Sequence, residues 1–357
     1  MTRSSGEVIF PWLEEPLQQV LSQRNSHAML LHGPAGVGQF ELALAIAQVQ
    51  LCEAGLRSER PLKPCGACAG CRLLQARTHP DLLVVLPETT REELDWTRND
   101  TASNEPAAAG STRAKPSKEI RVDDIRAVIA FAQSTSARGG AKIVVIYPAE
   151  RMNPIASNAL LKTLEEPAGV TRFILASSEP DALLPTVRSR CEAFAVHLPR
   201  DEQALAWLQT QGVAHAEVLL AACGGRPLDA LAWSRDGIDA AAWQRLPSRV
   251  AGGDVDSFAD WGLPRVVETL QKICHDALCA AVGASPRFFP AESIGDHRSV
   301  LVLTAWAAQL RRDATQCEHP WNSSLKVESL VQQAKRAMSG QPSASTVDAQ
   351  AFVHSAP

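Results

Sequence analysis

Three absences narrow this sequence before any motif is considered. There is no excess of positive charge: 35 Lys and Arg stand against 39 Asp and Glu, a formal net charge of −4. A chain that binds nucleic acid by itself usually carries a basic face, so tight unaided contact with DNA is not expected. No apolar run approaches the roughly 20 residues needed to cross a bilayer. The longest, near Val300 to Leu310, ends at Arg311 and Arg312. Met1 to Pro16 holds no apolar h-region and predicts a mature N-terminus rather than a secretory leader. No fixed-period repeat is evident. A soluble cytoplasmic protein with no membrane partner is the expectation. What is present, 357 residues of which 45% are hydrophobic, suffices for two or three domains with packed cores.

Nine cysteines are an odd number, and without a leader they point to a reducing compartment rather than to disulfides. Cys52, Cys65, Cys68 and Cys71 cluster; the other five are scattered and are expected to be small buried apolar residues.

The first 199 residues alternate strand-like and helix-like segments, which predicts an α/β domain with a parallel sheet. Strands are expected at Ala28 to Leu31, Leu82 to Leu86, Lys142 to Tyr147, Arg172 to Ser177 and Ala193 to His197. The spacing predicts helices at Phe40 to Leu51 and Val122 to Gln133. A third is capped by Asn153, opened by Pro154 and closed at Glu166 before Pro167. Residues 88–118 hold little that could be buried and are expected to form a mobile insertion. After Pro199 the strand signal fades. Residues 200–238 predict a small helical lid broken at Gly224-Gly225. Residues 239–338 predict a helical C-terminal domain, with apolar stripes along Arg265 to Ala281, Val300 to Leu310 and Val327 to Met338. Residues 339–357 are expected to be a disordered tail.

Gly33-Pro34-Ala35-Gly36-Val37-Gly38 matches the G-x-x-x-x-G of a phosphate loop, between a strand and a helix. Working loops continue with Lys, which neutralises the β and γ phosphates, and Ser or Thr, which binds Mg²⁺. Here Gln39 and Phe40 follow, the first uncharged and the second without an oxygen. Backbone amides at the helix start could still attract an anion, and an ordinary glycine turn is the bland alternative. The strand ending at Ile146 runs into Tyr147-Pro148, not into the acids that hold Mg²⁺ and polarise water. Glu150, three residues on, is expected to be a solvated carboxylate.

Two C-x-x-C steps share Cys68, with Cys52 ahead of them at a helix end. Four thiolates suit a closed, structural zinc site. An iron–sulfur cluster and four unligated thiols are the alternatives.

Ser157-Asn158-Ala159-Leu160-Leu161-Lys162-Thr163-Leu164-Glu165-Glu166-Pro167 resembles the signature helix of the AAA+ clamp-loader family of bacteria. Arg188-Ser189-Arg190-Cys191 resembles its Ser-Arg-Cys motif, and the cysteine cluster resembles its zinc module. These motifs cover roughly residues 28 to 200. Aligned by Asn158, the acidic pair of the ATP-hydrolysing members falls on Tyr147 and Pro148. Gly224-Gly225-Arg226-Pro227-Leu228 resembles the lid helix, with Leu228 where active members place an arginine sensor.

The resemblance implies an AAA+ sheet domain with a zinc module at 52–71, then a lid and an oligomerising collar. It implies a member that does not hydrolyse ATP but presents Arg190, as an arginine finger, to a neighbouring subunit's ATP. From spacing alone, Arg190 would be a surface residue paired with Glu192 or solvent, and Arg188 lies outside the shared position. The implied partners are clamp-loader subunits of the gamma/tau and delta types in a heteropentamer, with the sliding clamp and primed DNA met through that complex. Nucleotidyl transfer would belong to the polymerase holoenzyme. Two rival readings are an active ATPase subunit of the gamma/tau type and a zinc-containing nucleic-acid-binding module with a vestigial loop.

Overall fold

The computed structural model describes residues 9–23, 26–54, 64–96, 116–295, 299–317, 319 and 321–341. The chain divides into two units, Met1–Gln203 and Ala204–Pro357.

In the first unit, five strands form one sheet: β1 (Ala28–His32), β2 (Leu82–Val85), β3 (Lys142–Ile146), β4 (Thr171–Ser177) and β5 (Glu192–Ala195). All pairings are parallel and the order is β2-β3-β4-β1-β5. The connecting helices are α1 (Glu14–Ser22), α2 (Gln39–Gln50), α3 (Ala69–Gln75), α4 (Glu88–Glu93), α5 (Val122–Gln133), α6 (Pro154–Glu165) and the single turn α7 (Pro185–Arg188). Register sets Leu30 beside Leu175 and Val144 beside Phe173. These residues face Ile125 and Val128 of α5 and Leu160 and Leu164 of α6 in one core. Strand residues of the other parity, Leu31, Ile143, Val145 and Ile174, are fully buried too. Burial on both faces is why the central strands read as unbroken apolar runs.

Local chemistry sets the helix ends. Asn153 Oδ1 accepts from Ala156 N at 2.9 Å and Pro154 opens α6, as expected. Asp124 Oδ2 accepts from Arg121 N at 3.0 Å at the start of α5. Buried Asp81 accepts from Ala137 N at 2.7 Å and Arg138 N at 3.0 Å, and so fixes the turn leading into β3.

Two boundaries differ from expectation. β5 runs Glu192–Ala195 and buries Phe194 alone of its four residues. It is an edge strand, and one inward side chain leaves little pattern to read. The insertion at 88–118 begins in order: α4 is followed by Trp96, which packs on Phe40, and Glu88 Oε2 accepts from Ser117 N at 2.8 Å. Residues 97–115 of it lie outside the described residues.

The described residues of the second unit form helices only: the end of α8 (Asp201–Thr210), α9 (Ala216–Ala222), α10 (Pro227–Arg235), α11 (Ala240–Gly252), α12 (Leu263–Ala281), α13 (Ala291–Ile294), α14 (Val300–Thr315) and α15 (Ser323–Met338), with one 3₁₀ turn at Asp256–Phe258. Helix α12 runs antiparallel to α14: Gln271 donates to Leu310 O and Cys274 to Leu303 O, each at 3.4 Å. Residues on both sides of position 238 share this unit. Trp233 packs on Trp243 at 5.0 Å, and Arg226 pairs with Glu268 at 2.8 Å. Of the expected tail, residues 342–357 lie outside the described residues. The scattered cysteines are only partly as expected. Cys223 and Cys274 are buried, but Cys191, Cys279 and Cys317 are half-buried; Cys279 lies near the end of α12 and Cys317 just past α14.

Candidate functional site

The glycine loop leaves β1 at His32 and enters α2. A Cβ on Gly33 would collide with the Val196 carbonyl, and Gly38 holds φ at 99°, so both positions call for glycine. Gln39 is 3% exposed. Its Nε2 turns back on the loop and donates to Gly33 O at 2.7 Å and Pro34 O at 2.6 Å. The position of the phosphate-binding lysine therefore carries an amide already committed to the loop's own carbonyls.

Phe40 is buried and stacks on Tyr147, with ring centroids 5.0 Å apart and planes 25° apart. Trp96 meets Phe40 edge-on at 5.7 Å, and Arg77 lies over Trp96 at 4.5 Å. On the loop's other flank, Trp12 Nε1 donates to Val37 O at 2.8 Å. Rings thus pack beside the loop where it enters α2. Phe40 and Tyr147 are brought together, while Trp96, Arg77 and Trp12 were missed. A tryptophan in an otherwise polar segment was the available signal for Trp96.

Glu150 corrects the sequence reading. It is not a solvated carboxylate: Oε1 accepts from Ser178 N at 3.1 Å and Ser178 Oγ at 2.8 Å, and Oε2 is buried. Pro148 opens the 3₁₀ turn Ala149–Arg151, which directs Glu150 back onto the end of β4.

The four clustered cysteines converge. Cys52 Sγ lies 4.0 Å from Cys68 Sγ, and Cys65 Sγ 3.9 Å from Cys71 Sγ. Four thiolates held at ~2.3 Å around one tetrahedral ion sit about 3.8 Å apart, so the spacing fits. Backbone N–H groups point at the sulfurs: Cys65 N to Cys52, Cys68 N to Cys65 and Cys71 N to Cys68, each at 3.3 Å. Such donors favour thiolates. Burial raises the Cys68 thiol, but N–H bonds from Cys71 and Glu53 outweigh it and lower the group to about 6. Burial pushes Cys71 far up. The corner is joined to the turn before β3 by Arg138, whose Nε donates to Glu53 at 2.8 Å. A Cβ on Gly70 would lie 2.6 Å from Leu51 O, so the close approach of α3 requires glycine. Residues 55–63 of this segment lie outside the described residues.

Arg190 follows α7. Its Nε donates to Glu165 Oε1 at 2.6 Å, a terminal nitrogen donates to the same oxygen, and the other donates to Thr186 O at 2.8 Å. Glu165 of α6, not Glu192, is its partner. Next to it Cys191 packs on the core, and burial pushes its thiol up to about 12. The inward cysteine anchors the turn and leaves Arg190 toward the surface. Arg188 pairs with Asp181 at 2.8 Å.

A family model described as DNA polymerase III, delta subunit, matches residues 9–200, more than half of the chain, and takes in the loop, the cysteines and Arg190. The chain belongs to the DNA polymerase III delta-subunit family. Several of its curated relatives are delta prime subunits. It is 38% identical over 229 residues to the DNA polymerase III subunit delta' of Pseudomonas aeruginosa, covering 62% of this chain and 60% of that one. To the subunit delta' of Escherichia coli it is 33% identical over 230 residues, again 62% and 60%. The matched stretch thus spans 60% of these relatives' own length. A stretch of 171 residues is 32% identical to the DNA polymerase III subunit tau of Salmonella typhimurium, covering 48% of this chain and 22% of tau. Among solved structures, a DNA polymerase III gamma subunit-related protein of Thermotoga maritima aligns at a TM-score of 0.46 with 15% identity, over 91% of this chain and 99% of that one. Among the described residues of this family member, no helix is long and apolar enough to cross a membrane.

Proposed function

We propose that this chain is a delta prime subunit that takes part in clamp loading without hydrolysing ATP. One observation carries the reading: Gln39 is bonded to Gly33 O and Pro34 O, and Phe40 is stacked on Tyr147. Phosphoryl transfer is catalysed by positioning and by charge placed around the γ phosphate. Here the loop's side chains offer an amide and two rings instead of a cation, a metal ligand and a carboxylate. The chain acts within a complex of gamma/tau-type and delta-type subunits, presents Arg190 to a neighbour's ATP, and meets clamp and primed DNA through that complex. A planar, permanently charged guanidinium suits a γ phosphate better than an ammonium does. Cys52, Cys65, Cys68 and Cys71 hold one zinc ion, which closes the 52–71 segment and supplies no open coordination position. The collar at 239–338, which follows a lid at 200–238, serves oligomerisation.

The purified chain is expected to show no ATP turnover above background, and a reconstituted complex containing Arg190→Ala to assemble normally but load clamps slowly. Turnover by the isolated chain that disappears on changing Gly38 overturns the first part. Full loading activity with Arg190→Ala overturns the second.

A further inference from the structure

We propose that Glu165 positions Arg190 for its action across a subunit interface, an inference that rests on the role given to Arg190 above. Glu165 is the last residue of α6, and Arg190 lies just beyond α7. Glu165 Oε1 receives two N–H donors of the guanidinium, from Nε at 2.6 Å and from one terminal nitrogen. The other terminal nitrogen donates to Thr186 O at 2.8 Å, with Ser189 Oγ a long secondary contact at 3.5 Å. The arginine side chain is 31% exposed, so it is held against the surface of its own unit.

The donor inventory shows what this arrangement leaves over. Arginine has five N–H groups: one on Nε and two on each terminal nitrogen. Three are used by Glu165 and Thr186. One N–H remains on the Glu165-bound terminal nitrogen, and the other terminal nitrogen keeps one whose only further contact is the long one to Ser189 Oγ at 3.5 Å; two such N–H groups on the outer edge suit a two-pronged contact with a phosphate. Glu165 therefore engages the edge nearest the stem and leaves the outer edge available. Without it, an arginine side chain must give up its rotamer freedom when the transition state forms, and such freedom is large for this residue. Glu165 acts through Arg190 and touches neither nucleotide nor metal.

The test uses the reconstituted clamp-loader complex with Glu165→Gln, Arg190→Ala and the double variant. Clamp-loading rate and ATPase kinetics are measured in the complex, and the melting temperature on the isolated chain. Glu165→Gln is expected to slow loading roughly 3- to 30-fold, the range of a lost side-chain restraint. KM for ATP should be unchanged, because the nucleotide is bound by the neighbour, and melting should shift by less than about 2 °C, since the pair is exposed. In the double variant Glu165→Gln should add nothing to Arg190→Ala, because a residue that works only through another has no effect once the other is gone. Full activity with Glu165→Gln while Arg190→Ala is slow overturns the proposal. So does faster loading, which makes the carboxylate a restraint, and so does an additive double variant. Full activity with Arg190→Ala overturns the role of Arg190 itself and this inference with it.

Discussion

The phosphate loop and the cysteine corner are alike in construction: in each, a glycine-bearing turn runs directly into a helix, Gly38 into α2 and Cys68 into α3. They differ in what their side chains leave at the centre. In the loop, Gln39 satisfies Gly33 O and Pro34 O, and Phe40 is closed over by Tyr147 and Trp96. In the corner, four sulfurs face one another at 3.9 and 4.0 Å while N–H donors point at them from behind. The first turn is complete within the chain. The second converges four sulfurs at the spacing of a metal-ligand set. Similar backbone turns can thus end as a packed core or as a ligand set, and the side chains decide which.

The comparison is broken most severely at Cys71, which is fully buried and converges with Cys52, Cys65 and Cys68. Cys71→Ser is expected to reduce bound zinc from one per chain to none, read by elemental analysis. Melting of the first unit should fall by on the order of 10 °C, because metal binding supplies folding free energy to a segment that buries little by itself. Retention of stoichiometric zinc by this variant would remove Cys71 from the ligand set. Visible absorbance from the native chain would replace zinc with iron and sulfur.

The next test concerns Phe40, which occupies a position that an open nucleotide site would keep for a small polar residue. Phe40 is 5% exposed and stacked on Tyr147. Phe40→Ala should destabilise the chain by about 3–5 kcal/mol, the usual cost of removing a buried phenyl ring, as measured by urea unfolding. A loss below about 1 kcal/mol would show that the ring merely lines an open cavity.

These two corners were legible in the sequence to different degrees. Ligand chemistry is written in residue type and spacing, so Cys52, Cys65, Cys68 and Cys71 could be grouped before any coordinate was known. The central strands were legible because burial on both faces writes long apolar runs. The packing of the loop was not. Nothing in the spacing of Phe40 and Trp96 says that their rings meet, because 55 intervening positions separate the two and the segment after Pro87 looks polar. Glu150 misled for a similar reason: its partner Ser178 lies just past β4, a strand brought beside it only by the order of the sheet. The partner of Arg190 could not be read either, since α6 and α7 meet through the fold while Glu192 is merely near in sequence.

The smallest expected effect asks whether the loop is short of charge or short of room. Gln39→Lys restores the one residue that a working phosphate loop would have next to Gly38. An ammonium has three donors and can keep the bonds to Gly33 O and Pro34 O, where the amide now donates at 2.7 and 2.6 Å. The site is buried, so desolvation of the new charge opposes that gain. With carbonyls already in place to solvate it, the net change in stability should stay within about 1 kcal/mol, measured by urea unfolding beside Phe40→Ala. On the reading proposed above, ATP turnover should remain at background, because Phe40 and Tyr147 still stand where that reading puts the metal ligand and the carboxylate. Nucleotide binding by Gln39→Lys, measured by titration calorimetry, is the result that would separate the alternatives. If the variant binds ATP, the loop had room and lacked only charge, and the ring stack is not a plug. If it does not, while Phe40→Ala unfolds several kcal/mol more easily, then the stack itself closes the site, and no single charge can reopen it.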